Sequence, residues 1–301
     1  MRNRAGSWLL LIGGLCACRS LDVPPQNSRE CLALAQTYLE EQQYELALTA
    51  LGYFDPDALS LDDQSLWYLI LGTANHRLGK HWAAYEEMRT FAIKRQFRRH
   101  SEPIANLLYE VGEALARRKT GSFLWFDRGR AKAVLKTLVS YYPANPHRDD
   151  AQYRLGELAY EDGDFVEARL RFSSISVDSV WNTKSLFRVA MCYYRNLHGP
   201  DYDLGEMEQA RKELTGFLES RIENPKYRKV AAAALANVHE MLAEKHRIIA
   251  DFYFEIENQR GGLLHLQLAA DKYPESGAGQ EAQERLRKLR GPPTPPKTDR
   301  S

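Results

Sequence analysis

Cysteine is scarce in this sequence: four among 301 residues, of which Cys16 and Cys18 fall within the first twenty. Only Cys31 and Cys192 remain for the body of the chain, which excludes a disulfide framework. Both lie on apolar faces of helical segments, where a free cysteine packs as a small hydrophobe. Charge of one sign is lacking too. With 41 Lys and Arg against 40 Asp and Glu, the formal net charge is +1, so no global field favours nucleic acid, an acidic substrate or a polybasic attachment to membranes. Strand-type alternation and the turn pairs of β-hairpins are nearly absent.

The constellations of catalysis are missing as well. His239-Glu240 opens like a zinc-peptidase helix, but Ala243 stands where the second histidine belongs; His246, two turns on, shares the face and reads as a surface or groove histidine. Gly13-Gly14 lies in an N-terminal apolar run and Gly261-Gly262 in a helix turn, so neither builds a phosphate loop. No enzyme activity, cofactor, metal or small-molecule substrate is expected.

What is present begins with the first twenty residues. Arg2 and Arg4 precede Trp8-Leu9-Leu10-Leu11-Ile12-Gly13-Gly14-Leu15, an apolar run too short for a permanent membrane helix and of the length of a signal peptide. It ends in Leu15-Cys16-Ala17-Cys18, which resembles the bacterial lipobox. The expected organisation is a signal peptide over 1–17 and a lipidated tether over 18–27 attached through Cys18. The alternative is an ordinary signal peptide cut near Ala17. Arg19, in place of an aspartate after the cysteine, points to the outer membrane by resemblance to enterobacterial sorting. At the other end, residues 291–301 are proline-rich and expected to be extended.

Between the ends, apolar residues recur at helical spacing, and a ruler repeats. A small residue is followed by a second small residue twelve positions on and an apolar one nineteen positions on: Ala35, Ala47, Phe54; Gly72, Ala84, Phe91; Gly156, Ala168, Ile175; Ala250, Gly262, Ala269. Two helices of a hairpin that cross closely need a position without bulk on each. Two further units fit with longer loops, Gly112 with Ala131 across Lys119-Thr120-Gly121-Ser122, and Ala190 with Ala210 across Gly199-Pro200-Asp201-Tyr202-Asp203. Turn residues fall between helices at Leu78-Gly79-Lys80 and Asp162-Gly163-Asp164, and Tyr142-Pro143 and Tyr273-Pro274 close second helices. The reading is an all-α tetratricopeptide-repeat-like (TPR-like) α-solenoid over 28–290, about six helical hairpins with a capping helix over 279–290. Its N-terminal repeats cover about 28–145 and its C-terminal repeats about 146–290. The rival is an irregular helical bundle.

Leu242-Ala243-Glu244-Lys245-His246-Arg247-Ile248-Ile249-Ala250-Asp251-Phe252-Tyr253, then Leu266 and Ala269-Ala270-Asp271-Lys272-Tyr273-Pro274-Glu275-Ser276, resemble the last repeat of the BamD family, lipoprotein subunits of the machinery that folds β-barrels into the outer membrane. The Tyr193-Tyr194 helix, the 199–203 loop and the Ala210 helix resemble it too. Members usually carry an acidic residue where His246 stands, and an aromatic-containing turn followed by alanine where this chain has Asn258-Gln259-Arg260-Gly261-Gly262. The resemblance implies a lipid-anchored scaffold bound to a BamA-like barrel-forming subunit and to unfolded outer membrane protein clients. Another lipidated repeat scaffold, serving cell-wall synthesis, a pilus or a secretion pore, shares anchor and fold and differs in partner.

A peptide groove on the first helices of the N-terminal hairpins would present Gln36, Thr73, His76, Arg77, Tyr109 and Glu113, a mix of groups able to hold an extended chain; the alternative for each is a solvated helix face. Lys94-Arg95-Gln96-Phe97-Arg98-Arg99-His100 with Arg117-Arg118-Lys119 is the one basic concentration, a site for lipid head groups or an acidic surface, or a solvated helix end. Trp67, Trp82, Trp125 and Trp181 read as packing between helices.

Overall fold

The computed structural model describes residues 24–95, 100–117, 124–220, 222 and 224–290, the side chains of 90, 92–95 and 124–126 excepted. The expected signal peptide, Cys18, most of the basic cluster, the Trp125 side chain and residues 291–301 lie outside what is described. The described residues form thirteen α-helices, one 3-10 turn at Pro56–Ala58 and no strand. Twelve of them pair into six antiparallel hairpins: α1 (Ser28–Glu40) with α2 (Tyr44–Leu51), α3 (Leu61–Arg77) with α4 (His81–Arg95), α5 (Ser101–Arg117) with α6 (Leu124–Tyr141), α7 (Arg148–Glu161) with α8 (Phe165–Ser173), α9 (Asn182–Arg195) with α10 (Leu204–Glu219), and α11 (Pro225–Glu255) with α12 (Gln259–Lys272). The capping helix α13 spans Gly277–Arg290, two residues longer at its start than expected.

The chain divides into two compact units at Asn145 and Pro146. In the first, α1, α3 and α5 lie side by side as one layer, and α4 and α6 adjoin in the other. In the second, α9, α11 and α13 are neighbours, and each helix packs on the next in sequence. Each unit is thus a TPR-like stack of hairpins, the α-solenoid arrangement that the ruler implies.

The small residues are buried where the ruler puts them, with Ala35, Ala47, Ala84, Ala168 and Ala250 fully enclosed. Their partners differ from the simple crossing of two small positions. A Cβ on Gly72 would lie 2.6 Å from Met88 Sδ, one on Gly112 2.6 Å from Leu135 Cδ2, and one on Gly156 2.5 Å from Phe172 Cε1. Each of these large side chains sits four residues after the small residue of its own second helix. The corresponding positions elsewhere are Leu51, Leu214 and Leu266, all fully buried. The gap on the first helix therefore receives a bulky knob from the second, one turn beyond that helix's own gap. Phe54 departs from the ruler: α2 ends at Leu51 and Phe54 lies half-buried in the turn after it.

The turns share a device. Gly79 and Gly163 take φ of 75° and 79°, and Gln42 and Glu257 occupy the matching places with φ of 61° and 60°. In all four the next amide reaches back to the helix, as in Lys80 N to Asn75 O at 2.9 Å and Asn258 N to Tyr253 O at 2.8 Å, the C-terminal closure that left-handed residues allow.

The sixth hairpin is enlarged. Its first helix is 31 residues long because nothing interrupts it between Pro225, at the first turn behind the Asn224 cap, and Glu257. The Ala231-Ala232-Ala233-Ala234 run favours helix throughout. Its first half packs on α9 and α10, where Tyr227 stacks on Phe187 at 4.5 Å, and its second half on α12 and α13.

Candidate functional site

In the first unit the candidate groove residues stand one, four or five positions after a small anchor, or three before it. Gln36 is exposed and its Nε2 donates to Glu40 at 3.1 Å. The Thr73 hydroxyl donates to Leu69 O at 2.7 Å, within its own helix. Glu113 pairs with Arg117 at 3.2 Å along α5, and Tyr109 is half-buried on the same helix. His76 and Arg77 are brought together with a residue of another hairpin: His76 Nε2 and Arg77 Nη2 lie 3.8 and 3.7 Å from Glu110 Oε2.

Glu110 escaped the sequence reading. It lies two positions before Gly112, an offset the ruler had not singled out. The Arg77 and Glu110 side chains are 52% and 50% exposed, so the pair contributes about 0–1 kcal/mol and keeps both groups available to solvent. His76 Nδ1 meets His81 Nδ1 at 3.1 Å. Burial lowers the His76 pKa; Glu110 pulls it back up and Arg77 pushes it further down.

In the second unit the same offsets hold helices together. Tyr153, Glu157 and Tyr160 flank Gly156, and Arg188 from α9 enters between them, its Nε 2.7 Å and its Nη2 2.9 Å from the two Glu157 oxygens. Its guanidinium lies 4.6 Å above the Tyr160 ring. Burial raises the Tyr153 pKa, with Glu157 adding to the effect. Asn237 Nδ2 donates to Tyr194 Oη at 3.0 Å and Lys245 Nζ to Asp201 O at 3.2 Å, tying α11 to α9 and its loop. Positions equivalent to the exposed Gln36 and Arg77 and the half-buried Tyr109 of the first unit include joints between helices in the second.

The zinc-peptidase-like residues separate. Glu240 accepts from the Gly277 and Ala278 amides at 2.6 and 2.9 Å, at the start of α13, while His239 and His246 lie against Tyr273. Among the described residues no group of three or more His, Cys, Asp or Glu side chains is arranged to hold a metal ion. Gly261 and Gly262 lie in the first turn of α12, where a Cβ would run into the rings of Tyr253 at 2.7 Å and Phe254 at 2.5 Å. Cys31 and Cys192 are buried and free. The Cys31 thiol donates to Ala50 O at 3.1 Å, and burial pushes the Cys192 thiol up to about 12. Trp67 donates to Leu51 O at 3.4 Å and Trp181 to Asp150 at 2.6 Å, while Trp82 lies 5.0 Å from Tyr85. No described helix is long and apolar enough to cross a membrane.

No family model and no curated protein matches the chain. Among solved structures it is similar to the C-terminal part of a TPR repeat-containing protein from Cytophaga hutchinsonii, at 16% identity over 83% of this chain and 98% of that one, with a TM-score of 0.37.

Proposed function

We propose that the chain is a protein-binding scaffold without catalytic activity, tethered through Cys18 to the periplasmic face of the outer membrane, and that it acts in β-barrel assembly as a BamD-like component. The observation that carries the scaffold reading is the contrast between the units. In the second, the offset positions are joined to one another as a support. In the first, Gln36, Arg77 and Glu110 stay on the solvent side of three adjacent first helices, where an extended segment can lie across them. Aromatic Tyr109 and the imidazole of His76 add apolar contact beside these polar groups. The lipobox-like Leu15-Cys16-Ala17-Cys18 supports the anchor. The resemblance of Leu242 to Tyr253 and of Ala269 to Ser276 to the last repeat of the BamD family supports the assembly role, with a BamA-like barrel-forming subunit and unfolded outer membrane proteins as partners.

The test is a mild-detergent pull-down of the full-length protein from its native membranes, with Cys18→Ser as the mislocalised control and mass spectrometry as the readout. Recovery of a large outer membrane β-barrel protein with periplasmic domains is the expected outcome. Recovery of cell-wall enzymes or pilus subunits without that barrel would overturn the assembly role and leave a scaffold for another envelope machine. For the client face, Arg77→Glu is expected to weaken crosslinking to unfolded barrel segments several-fold without changing the helical content.

A further inference from the structure

Two histidines meet within the sixth hairpin, His246 on α11 and His265 on α12, and a third, His239 on α11, shares the neighbour Tyr273 with His246. His246 is only 5% exposed, and its Nδ1 lies 3.1 Å from Nδ1 of His265. Two tyrosines enclose the pair, Tyr273 against His246 at 6.3 Å between ring centres and Tyr253 against His265 at 5.5 Å. His239 lies 5.4 Å from the same Tyr273.

The charged groups facing this cluster are few. Lys272 comes from α12, and Arg211 and Glu208 come from α10. Glu208 is itself engaged, paired with Arg211 at 2.7 Å and accepting from Tyr273 Oη at 3.1 Å. Several other charges of α11 and α13 are engaged away from it: Arg247 with Glu244, Lys245 with Asp201 O, Glu240 with the α13 amides, Arg285 with Asp251. One carboxylate therefore faces a lysine, an arginine and three imidazoles.

With both rings neutral, one Nδ1–H donates to the other Nδ1 and the buried pair is satisfied. With both protonated, two donors face each other with no acceptor and two like charges stand 3.1 Å apart in a poorly hydrated space. We propose that the His246–His265 contact is an acid-sensitive latch, holding α12 on α11 while the imidazoles are neutral and releasing α12, with α13 that packs on it, when they take up protons.

Burial, then His265 and Lys272, push His246 from its ordinary 6.5 down to about 4, against a smaller opposite pull from Glu208. Burial lowers His265 and His239 in the same direction. A base whose pKa is depressed in the closed state stabilises that state fully above about 6.5 and loses the contribution as pH falls toward 4. Burial alone would raise the Glu208 pKa, but its bonds to Arg211 and Tyr273 hold it below 4.5, so it stays ionised above pH 5 and does not blur this window.

The test is native-state hydrogen exchange on the full-length protein at pH 7 and pH 5, corrected for intrinsic exchange. His246 alone predicts that protection of the α12 amides falls about twentyfold between the two, while α7 amides serve as the internal reference. In His246→Gln the dependence flattens. Unchanged α12 protection at pH 5, or the same loss in His246→Gln, would overturn the latch. Should that variant not fold, an NMR titration of the wild-type rings decides: His246 still neutral at pH 5 is required, and protonation near pH 6.5 with α12 still protected refutes the proposal.

Discussion

At Gly156 a single methyl group is enough to disturb the fold, because a Cβ there would sit 2.5 Å from Cε1 of the fully buried Phe172. Gly156→Ala forces the ring out of its place, and over-packing of this kind costs about 1–3 kcal/mol. Chemical denaturation is expected to show that loss, and Phe172→Leu in the same chain to restore part of it. The opposite sign belongs to Glu257, held at φ of 60° in the turn between α11 and α12. Glu257→Gly removes a left-handed strain of about 1 kcal/mol, which outweighs the added freedom of the unfolded chain, so the melting temperature should rise. Both sites show how much the sequence tells and where it stops. Gly79 and Gly163 mark their turns openly, whereas Gln42 and Glu257 adopt the same conformation without the residue that signals it. The small anchors were legible as a period; the knobs that fill them were not, since Met88, Leu135 and Phe172 have only bulk in common.

Among the elements, α13 is held by few and nameable contacts. Its first amides donate to the Glu240 carboxylate, which also complements the positive end of the helix. Ser276 Oγ accepts from the Gly279 amide at 3.0 Å, and a Cβ at Gly279 would collide with the Tyr273 carbonyl oxygen. Gly279→Ala is therefore expected to unseat the start of α13 and expose Leu286 and Ala282, which limited proteolysis after the α13 arginines would reveal as faster cleavage. Glu240→Gln keeps one acceptor and should lose about 1 kcal/mol. That a capping helix exists followed from the repeat pattern. Its anchoring by Glu240 did not, because the carboxylate and the amides it receives stand 37 and 38 residues apart and nothing local links them. The length of α11 has a plainer cause in its uninterrupted alanine-rich start. For the candidate groove the same limit applies: the offsets located His76 and Arg77, and only the stacking of α3 beside α5 brought Glu110 to them.

For the whole molecule, the decisive feature is that each unit encloses a core of its own. In the second, Met207, Leu214, Val238, Leu242 and Leu266 are fully buried together, and Phe172 closes a neighbouring cluster with Tyr153 and Cys192. In the first, Leu51, Ile70 and Trp67 form one cluster around the small anchors. The chain supplies a break between them, where α6 ends at Tyr141, two residues before Pro143, and Pro146 precedes α7. A stack of hairpins is stabilised by each hairpin and its nearest neighbours, so a stretch that keeps its own neighbours keeps most of its stability. Residues 146–290 expressed alone should then be helical by circular dichroism and unfold in one cooperative transition. Leu242→Ala, which empties a fully enclosed site on α11, should lower that stability by about 2–5 kcal/mol. A non-cooperative, molten fragment would mean instead that the second unit depends on residues before Pro146 for its folding, and that the chain is one cooperative array from α1 to α13.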